Sequence, residues 1–376
     1  MSKTTIEKLA EFGQSIWLDN INRSMIESGK LTELIKSGLR GMTSNPTIFD
    51  KAISLTKDYD AKIADLRRTG KTVFEIYDDL TVKDVQDAAD AFKNVYEKTG
   101  GLDGYVSLEV NPKLAFEVEA TVKEAKRLRE KVNRPNVMFK VPATEAGCKA
   151  IEELLACGIN INATLIFSVG QYMDTAKAYL RGIKRFADSG GDLSKTRSVA
   201  SVFVSRVDTS VDKTIDELLI KTTDTEMKDK LSLLKGKAAV ANSRLIFQKS
   251  AVIFSSKEFL SLKEKGANAQ RVLWASTSSK NPAYTDIKYV SELIAKNTVN
   301  TLPDNTLVAF LDHGVVKETV FACDKEPQNI INDLMNFEIE INSVCVKLLK
   351  DGVIAFEKSF ESLLKAIEEK AKTLCG

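Results

Sequence analysis

The feature that most restricts the fold of this chain is an alternation. Short apolar, β-prone runs recur along its 376 residues, and amphipathic stretches separate them. The runs are QSIWLD (14–19), GMTSN (41–45), YVSLEV (105–110), VMFKVPA (137–143), INATLIF (161–167), VASVFVS (199–205), VLWAST (272–277) and NTVNTLP (297–303). Strands alternating with helices build a parallel sheet. Eight of them predict a (β/α)8 barrel, for which about 250 residues is typical. The excess is assigned to additional helices at about 50–99, 208–265 and 303–376, the last a C-terminal helical extension. No Gly-, Pro- or Ser-rich linker, low-complexity tract or internal repeat interrupts the pattern, so 1–376 reads as one domain. A doubly wound open sheet is the competing architecture, and it lacks a Gly-rich phosphate loop after any strand.

The helical stretches have their own signals. Thr81-Val-Lys-Asp84 resembles a capping box, with Val82, Val85, Ala88, Ala89, Phe92 and Tyr96 as the apolar face behind it. Asn111-Pro112 reads as a second helix start, carrying Leu114, Phe116, Val118 and Val122. Near the end, Val353, Phe356, Phe360, Leu363, Leu364 and Ile367 recur at helical spacing. Pro46, Pro112, Pro142, Pro282 and Pro303 fall at or just past strand C-termini, the end of a barrel where loops carry chemistry.

Side chains alternate between the two faces of a strand. In the fourth run the more apolar set, Val137, Phe139 and Val141, should meet the helices. Lys140 then points into the barrel with Met138. The same parity groups Trp17 with Asp19, Gly41 with Thr43 and Asn45, and Tyr105 with Ser107 and Glu109. It groups Asn160 with Asn162 and Thr164, Ser201 with Phe203, and Trp274 with Ser276. Each polar residue has a plain structural reading by itself: a strand-end lysine, a helix cap, an edge glutamate, a turn threonine. A purely structural barrel interior, however, is filled with branched apolar side chains. This one gathers Lys, Asp, Glu, Asn, Thr and Ser.

An amine held out of water is more easily deprotonated. It can then add to a carbonyl and form a Schiff base, with carboxylates moving the protons. Metal chemistry has little to work with: the single histidine, His313, reads as a turn residue, and five scattered cysteines form no CxxC. No metal and no cofactor is expected. The thiols are expected to be reduced. The N-terminus has no signal-peptide core and no stretch reaches membrane-span length, so the expected location is the cytoplasm. A net charge of +2 suggests neither a nucleic-acid nor a membrane partner.

Five segments carry a resemblance. MTSNPTIF (42–49), FKVPATEAG (139–147), NATLIFSVGQ (162–171), SVFVSRVD (201–208) and WASTSSKNP (274–282) are similar, in this order, to motifs of the transaldolases in their longer bacterial form. The resemblance implies a barrel with the Schiff-base lysine at Lys140 and an acid/base at Asp19. It implies that Glu109 and Thr164 handle a catalytic water. Asn45 and Asn162 would bind the dihydroxyacetone portion, with Phe203 also at the substrate. Ser201, Arg206 and Ser276 would hold the phosphate. Shorter members carry an arginine just after the seventh strand; here Thr277-Ser278-Ser279-Lys280 stands there, which assigns that role to Lys280.

The implied reaction moves a dihydroxyacetone unit from sedoheptulose 7-phosphate to glyceraldehyde 3-phosphate. It gives erythrose 4-phosphate and fructose 6-phosphate, in the non-oxidative pentose phosphate pathway. The partners are therefore small sugar phosphates. The alternatives are a fructose-6-phosphate aldolase that releases dihydroxyacetone, and a non-catalytic binding barrel. Monomer and homo-oligomer are equally open.

Overall fold

The computed structural model describes residues 3–375. Eight parallel strands close in sequence order: β1 (Gln14–Leu18), β2 (Gly41–Thr43), β3 (Tyr105–Glu109), β4 (Val137–Pro142), β5 (Ile161–Ile166), β6 (Ser198–Phe203), β7 (Arg271–Ala275) and β8 (Thr298–Leu302). β1 pairs with both β2 and β8, which shuts the barrel. Every strand residue is buried, because helices cover the outer face and side chains fill the inner one. This is why the runs read as nearly continuous apolar segments.

Each expected run contains a strand, and each overruns its C-terminal end by one or two residues. At those ends the chain serves turns and caps. Asn45 shows the reason: it is the N-cap of helix Pro46–Ser54, its Oδ1 accepting from the Ile48 amide at 3.0 Å.

The register defines the inner face. Trp17 pairs with Gly41 and Gly41 with Tyr105. A Cβ on Gly41 would lie 2.6 Å from the Trp17 ring, so this glycine is what lets the indole fill the interior. Higher up, Glu109 pairs with Lys140 and Lys140 with Asn162, forming one layer across three strands. The expected parity fails only in β7. Phe203 pairs with Ala275 and Leu273 with Val299, so Leu273 and Ala275 face inward and Trp274 faces the helices. Ser276, past the strand end, has φ +55°, which breaks the alternation.

Helices occupy the three long intervals, and two of the expected starts move. The capping box is Thr72 with Glu75, opening helix Val73–Lys98. Thr81 sits inside that helix and returns its hydroxyl to the Tyr77 carbonyl at 3.0 Å. Asn111-Pro112 opens only a single 3₁₀ turn, Pro112–Leu114; the helix itself begins at Val118, and Phe116 is exposed. The chain ends in the helix Ile341–Cys375, which buries Val353, Phe356, Phe360, Leu363 and Ile367 against the barrel's helices.

Candidate active site

β4 carries Lys140 into the interior, where it is 4% exposed. Its Nζ donates to the Ser44 carbonyl at 2.9 Å. Nζ also lies 3.4 Å from Glu109 Oε2, an ion contact without hydrogen-bond alignment. Both Glu109 oxygens therefore have no hydrogen-bond partner among the described residues, and neither does Thr164 Oγ1. Buried polar atoms left in this state call for an explanation in function or an unseen solvent partner. Burial pushes the Glu109 carboxyl up to about 7, with Lys140 pulling it partway back.

β5 places Asn162 beside Lys140 in register and Thr164 beside Pro142. Asn162 Nδ2 donates to Ser107 Oγ at 3.0 Å, and its Oδ1 accepts from Ser201 Oγ at 2.6 Å. The amide is thereby fixed in one orientation. The ladder between β5 and β6 shifts register between Ala163 and Ile166, where Leu165 has φ +57°.

A cavity of about 660 Å³ opens at the C-terminal end of the barrel, and its wall includes Lys140 and Asp19. Asp19 follows β1 directly and accepts a 2.7 Å hydrogen bond from Thr43 Oγ1. Burial raises its proton affinity; Lys140 and the Thr43 hydroxyl oppose the rise. Asn45, Ser201, Phe203, Arg206, Ser276 and Lys280 line the same cavity. Glu109, Asn162 and Thr164 are not in its wall; Glu109 and Asn162 flank Lys140 in the buried layer, and Thr164 stands in register with Pro142.

Arg206 is partly buried on the first turn of helix Ser205–Lys221, its guanidinium 5.6 Å from the Phe203 ring centroid. Desolvation lowers its pKa. It makes no ion pair among the described residues. Asp208, the obvious neighbour in sequence, bonds instead to the Ala239 amide and the Tyr289 hydroxyl. Lys280 is exposed and donates to Ser278 Oγ at 2.7 Å. Ser276 Oγ lies 3.1 Å from Ser205 Oγ.

Sequence reasoning missed several contributors. The Ser44 carbonyl holds Lys140. Lys51 adds a further cation to the cavity wall; it stands three residues after Ile48, on the same face of the helix that Asn45 caps, and that spacing was its signal. Asp286 and Phe356 reach the wall from segments with no local cue. His313 ends helix Asp304–His313 rather than sitting in a turn, exposed and bonded to Asp312 and Asp286. Among the described residues no group of three or more His, Cys, Asp or Glu is arranged to hold a metal ion.

A closed parallel barrel with an inward lysine, two carboxyls and a cavity at its C-terminal mouth defines a (β/α)8-barrel enzyme of the aldolase kind. Residues 16–367 match the family model described as transaldolase/fructose-6-phosphate aldolase. A transaldolase of Trichodesmium erythraeum is 46% identical over 370 residues, covering 98% of this chain and 97% of the relative. A transaldolase of Saccharopolyspora erythraea is 44% identical over 371 residues, 98% of each chain. One from Mycobacterium ulcerans is 42% identical over 375 residues, 99% of this chain and 98% of the relative. The chain belongs to the transaldolase/fructose-6-phosphate aldolase family.

Proposed function

We propose that the protein is a transaldolase, transferring a dihydroxyacetone unit from sedoheptulose 7-phosphate to glyceraldehyde 3-phosphate through a Schiff base on Lys140. The carrying observation is the buried Nζ, 3.4 Å from a carboxyl whose pKa is about 7, at the base of the polar cavity. The amine adds to the donor ketone. Glu109, with Thr164, handles the water lost as the imine forms and regained when it is hydrolysed; their unpartnered oxygens support this role. Asp19 takes the proton from the C4 hydroxyl as the C3–C4 bond breaks, erythrose 4-phosphate departs, and an enamine remains. The enamine attacks the aldehyde carbon of glyceraldehyde 3-phosphate, and Asp19 returns the proton to the new alkoxide.

Asn45 and Asn162 serve the dihydroxyacetone hydroxyls. Arg206, Ser276 and Lys280 take the phosphate, for which a planar fork without an internal carboxylate partner is suited. The Ser201 proton is committed to Asn162, so Ser201 steadies that amide and reaches a phosphate only by rotating its hydroxyl. The chain is read as one domain; the packing of the C-terminal helix on helices from three other intervals, and its Phe356 in the cavity wall, support this. No helix among the described residues is long and apolar enough to cross a membrane, which is compatible with a cytoplasmic site of action and sugar-phosphate partners.

The family's description also names fructose-6-phosphate aldolase; such a lyase would release free dihydroxyacetone. The names of the relatives favour transfer. Incubation with fructose 6-phosphate separates the two. A transferase turns over only when erythrose 4-phosphate is added, whereas steady release without acceptor would indicate the lyase.

A further inference from the structure

The C-terminal helix contributes one aromatic ring, Phe356, to a cavity wall that also holds Phe203, Ile48 and Pro303 among its polar side chains. Phe356 lines the same cavity as Asp19, Lys140 and Arg206, yet is itself only 3% exposed. One turn earlier, on the same helix face, lies Gly352. A Cβ there would stand 3.1 Å from Leu165 Cδ2 and 3.9 Å from Arg206 Nη1. Mid-helix glycine is less favourable than alanine. Its presence is explained by close approach: the helix rests on the irregular segment of β5 and beside the arginine.

The seat of the helix does not depend on Phe356. Lys370 Nζ donates to the Thr56 carbonyl and to Asp60 Oδ1 at 2.5 and 2.6 Å. Ser359 meets Thr47 at 2.8 Å, and Cys345 donates to the Phe167 carbonyl. Phe360, Leu363 and Ile367 are buried further along. The ring at 356 is thus placed over the cavity by contacts on both sides of it.

The position matters for one step of the transaldolase reading, on which this inference rests. After the C3–C4 bond breaks, the enamine on Lys140 has two fates. It can form a C–C bond to the acceptor aldehyde, whose oxygen takes a proton from Asp19. Alternatively, its C3 can take a proton from water; the iminium then hydrolyses, releasing dihydroxyacetone and the free amine. The second route needs water on the cavity side of the enamine. An apolar ring there excludes it.

We propose that Phe356 is a positioning residue that shields the enamine from cavity water, and that Gly352 sets how closely the helix holds it there. The chain's last helix thereby biases the enzyme toward transfer and away from release.

The test compares two rates in one preparation with fructose 6-phosphate: glyceraldehyde 3-phosphate release without acceptor, and transfer to erythrose 4-phosphate. In Phe356→Ala the release-to-transfer ratio should rise by about tenfold, the change one lost contact commonly produces in a rate. Gly352→Ala, whose Cβ would crowd Leu165 Cδ2 at 3.1 Å so that one of the two must give by a few tenths of an ångström, should raise it less. Phe356→Leu should return it toward the parent. If both rates fell together, or the ratio stayed constant in both alanine variants, Phe356 would be packing only and the proposal would be overturned. Borohydride trapping on Lys140 in the parent tests the underlying reading separately. If Phe356→Ala does not fold, Gly352→Ala carries the same ratio test.

Discussion

The barrel contains two buried ion pairs, one at its floor and one near its mouth, and they are built in opposite ways. At the floor, Arg271 opens β7 and donates to Asp103 Oδ1 at 2.8 Å, to the Leu102 carbonyl at 2.6 Å and to Ser15 Oγ at 3.0 Å. Ser15 passes its own proton to Asp103 Oδ2 at 2.7 Å, and Trp17 Nε1 adds a bond to Oδ1 at 3.3 Å. Both carboxylate oxygens are satisfied. Near the mouth, Lys140 and Glu109 are just as deeply buried; Lys140 donates to the Ser44 carbonyl, yet neither Glu109 oxygen nor Thr164 Oγ1 has a hydrogen-bond partner among the described residues. A satisfied pair is a structural joint: its members cannot take up a ligand without being pulled apart. An unsatisfied pair keeps its proton and its donor capacity available. Burial alone therefore does not mark the reactive pair; a buried carboxyl left without hydrogen bonds beside the amine does.

The comparison can be broken most severely at the mouth. Asp19→Asn should slow turnover by roughly 10²–10⁴-fold, the usual worth of one general acid/base. Schiff-base trapping should survive, because the amine remains. Glu109→Gln should instead slow formation and hydrolysis of the imine. Stopped-flow and trapping kinetics that placed both variants at one step would remove the division of roles.

At the floor the expected loss is in stability. Asp103→Ala leaves Arg271 buried without its partner, which should cost about 3–5 kcal/mol in unfolding free energy. Turnover per folded molecule should be nearly unchanged. Denaturant melts with active-site titration check this; a floor variant that folds well but loses turnover would erase the contrast.

Arg206→Ala sharpens the picture further out. It should reduce kcat/KM for fructose 6-phosphate by roughly 2–4 kcal/mol, the loss of a charge-assisted pair. A non-phosphorylated donor should be affected far less, and Lys280→Ala should show the same selectivity with a smaller loss. Equal losses on both donors would mean that Arg206 supports the fold or the chemistry.

A further effect is in pH dependence. The folded Glu109 pKa, about 7, stands above its ordinary 4.5. Between those values the native state binds more protons than the unfolded one, so stability is greatest below 4.5 and falls as pH rises through about 7. Glu109→Gln should remove this slope from urea melts taken across that window. An unchanged slope would place the titration elsewhere.

Much of the inner layer was legible because parity needs only a strand and a preference for the apolar face outward. Asp19, Glu109, Lys140 and Asn162 follow from it directly. β7 breaks the rule for a backbone reason: no side chain announces that Ser276 adopts φ +55°, so parity places Trp274 inward while it faces the helices. Thr81 looks like a cap in sequence, because a threonine returning its hydroxyl to the preceding turn and one capping a new helix have the same local composition. The floor pair escaped entirely, since Arg271 and Asp103 lie 168 positions apart and neither stands in a motif. Phe356 escaped for the same cause: its apolar spacing revealed a helix, and only tertiary packing shows that one member of the stripe reaches the cavity.

The most direct test of the contrast is to let the lysines compete. The protein is incubated with fructose 6-phosphate, reduced with borohydride, digested and mapped by mass spectrometry. A three-carbon adduct on Lys140, absent without the sugar and unaffected by chelators, is the result this account predicts. Recovery of the adduct on another lysine, such as Lys51 or Lys280 in the same cavity wall, would contradict it.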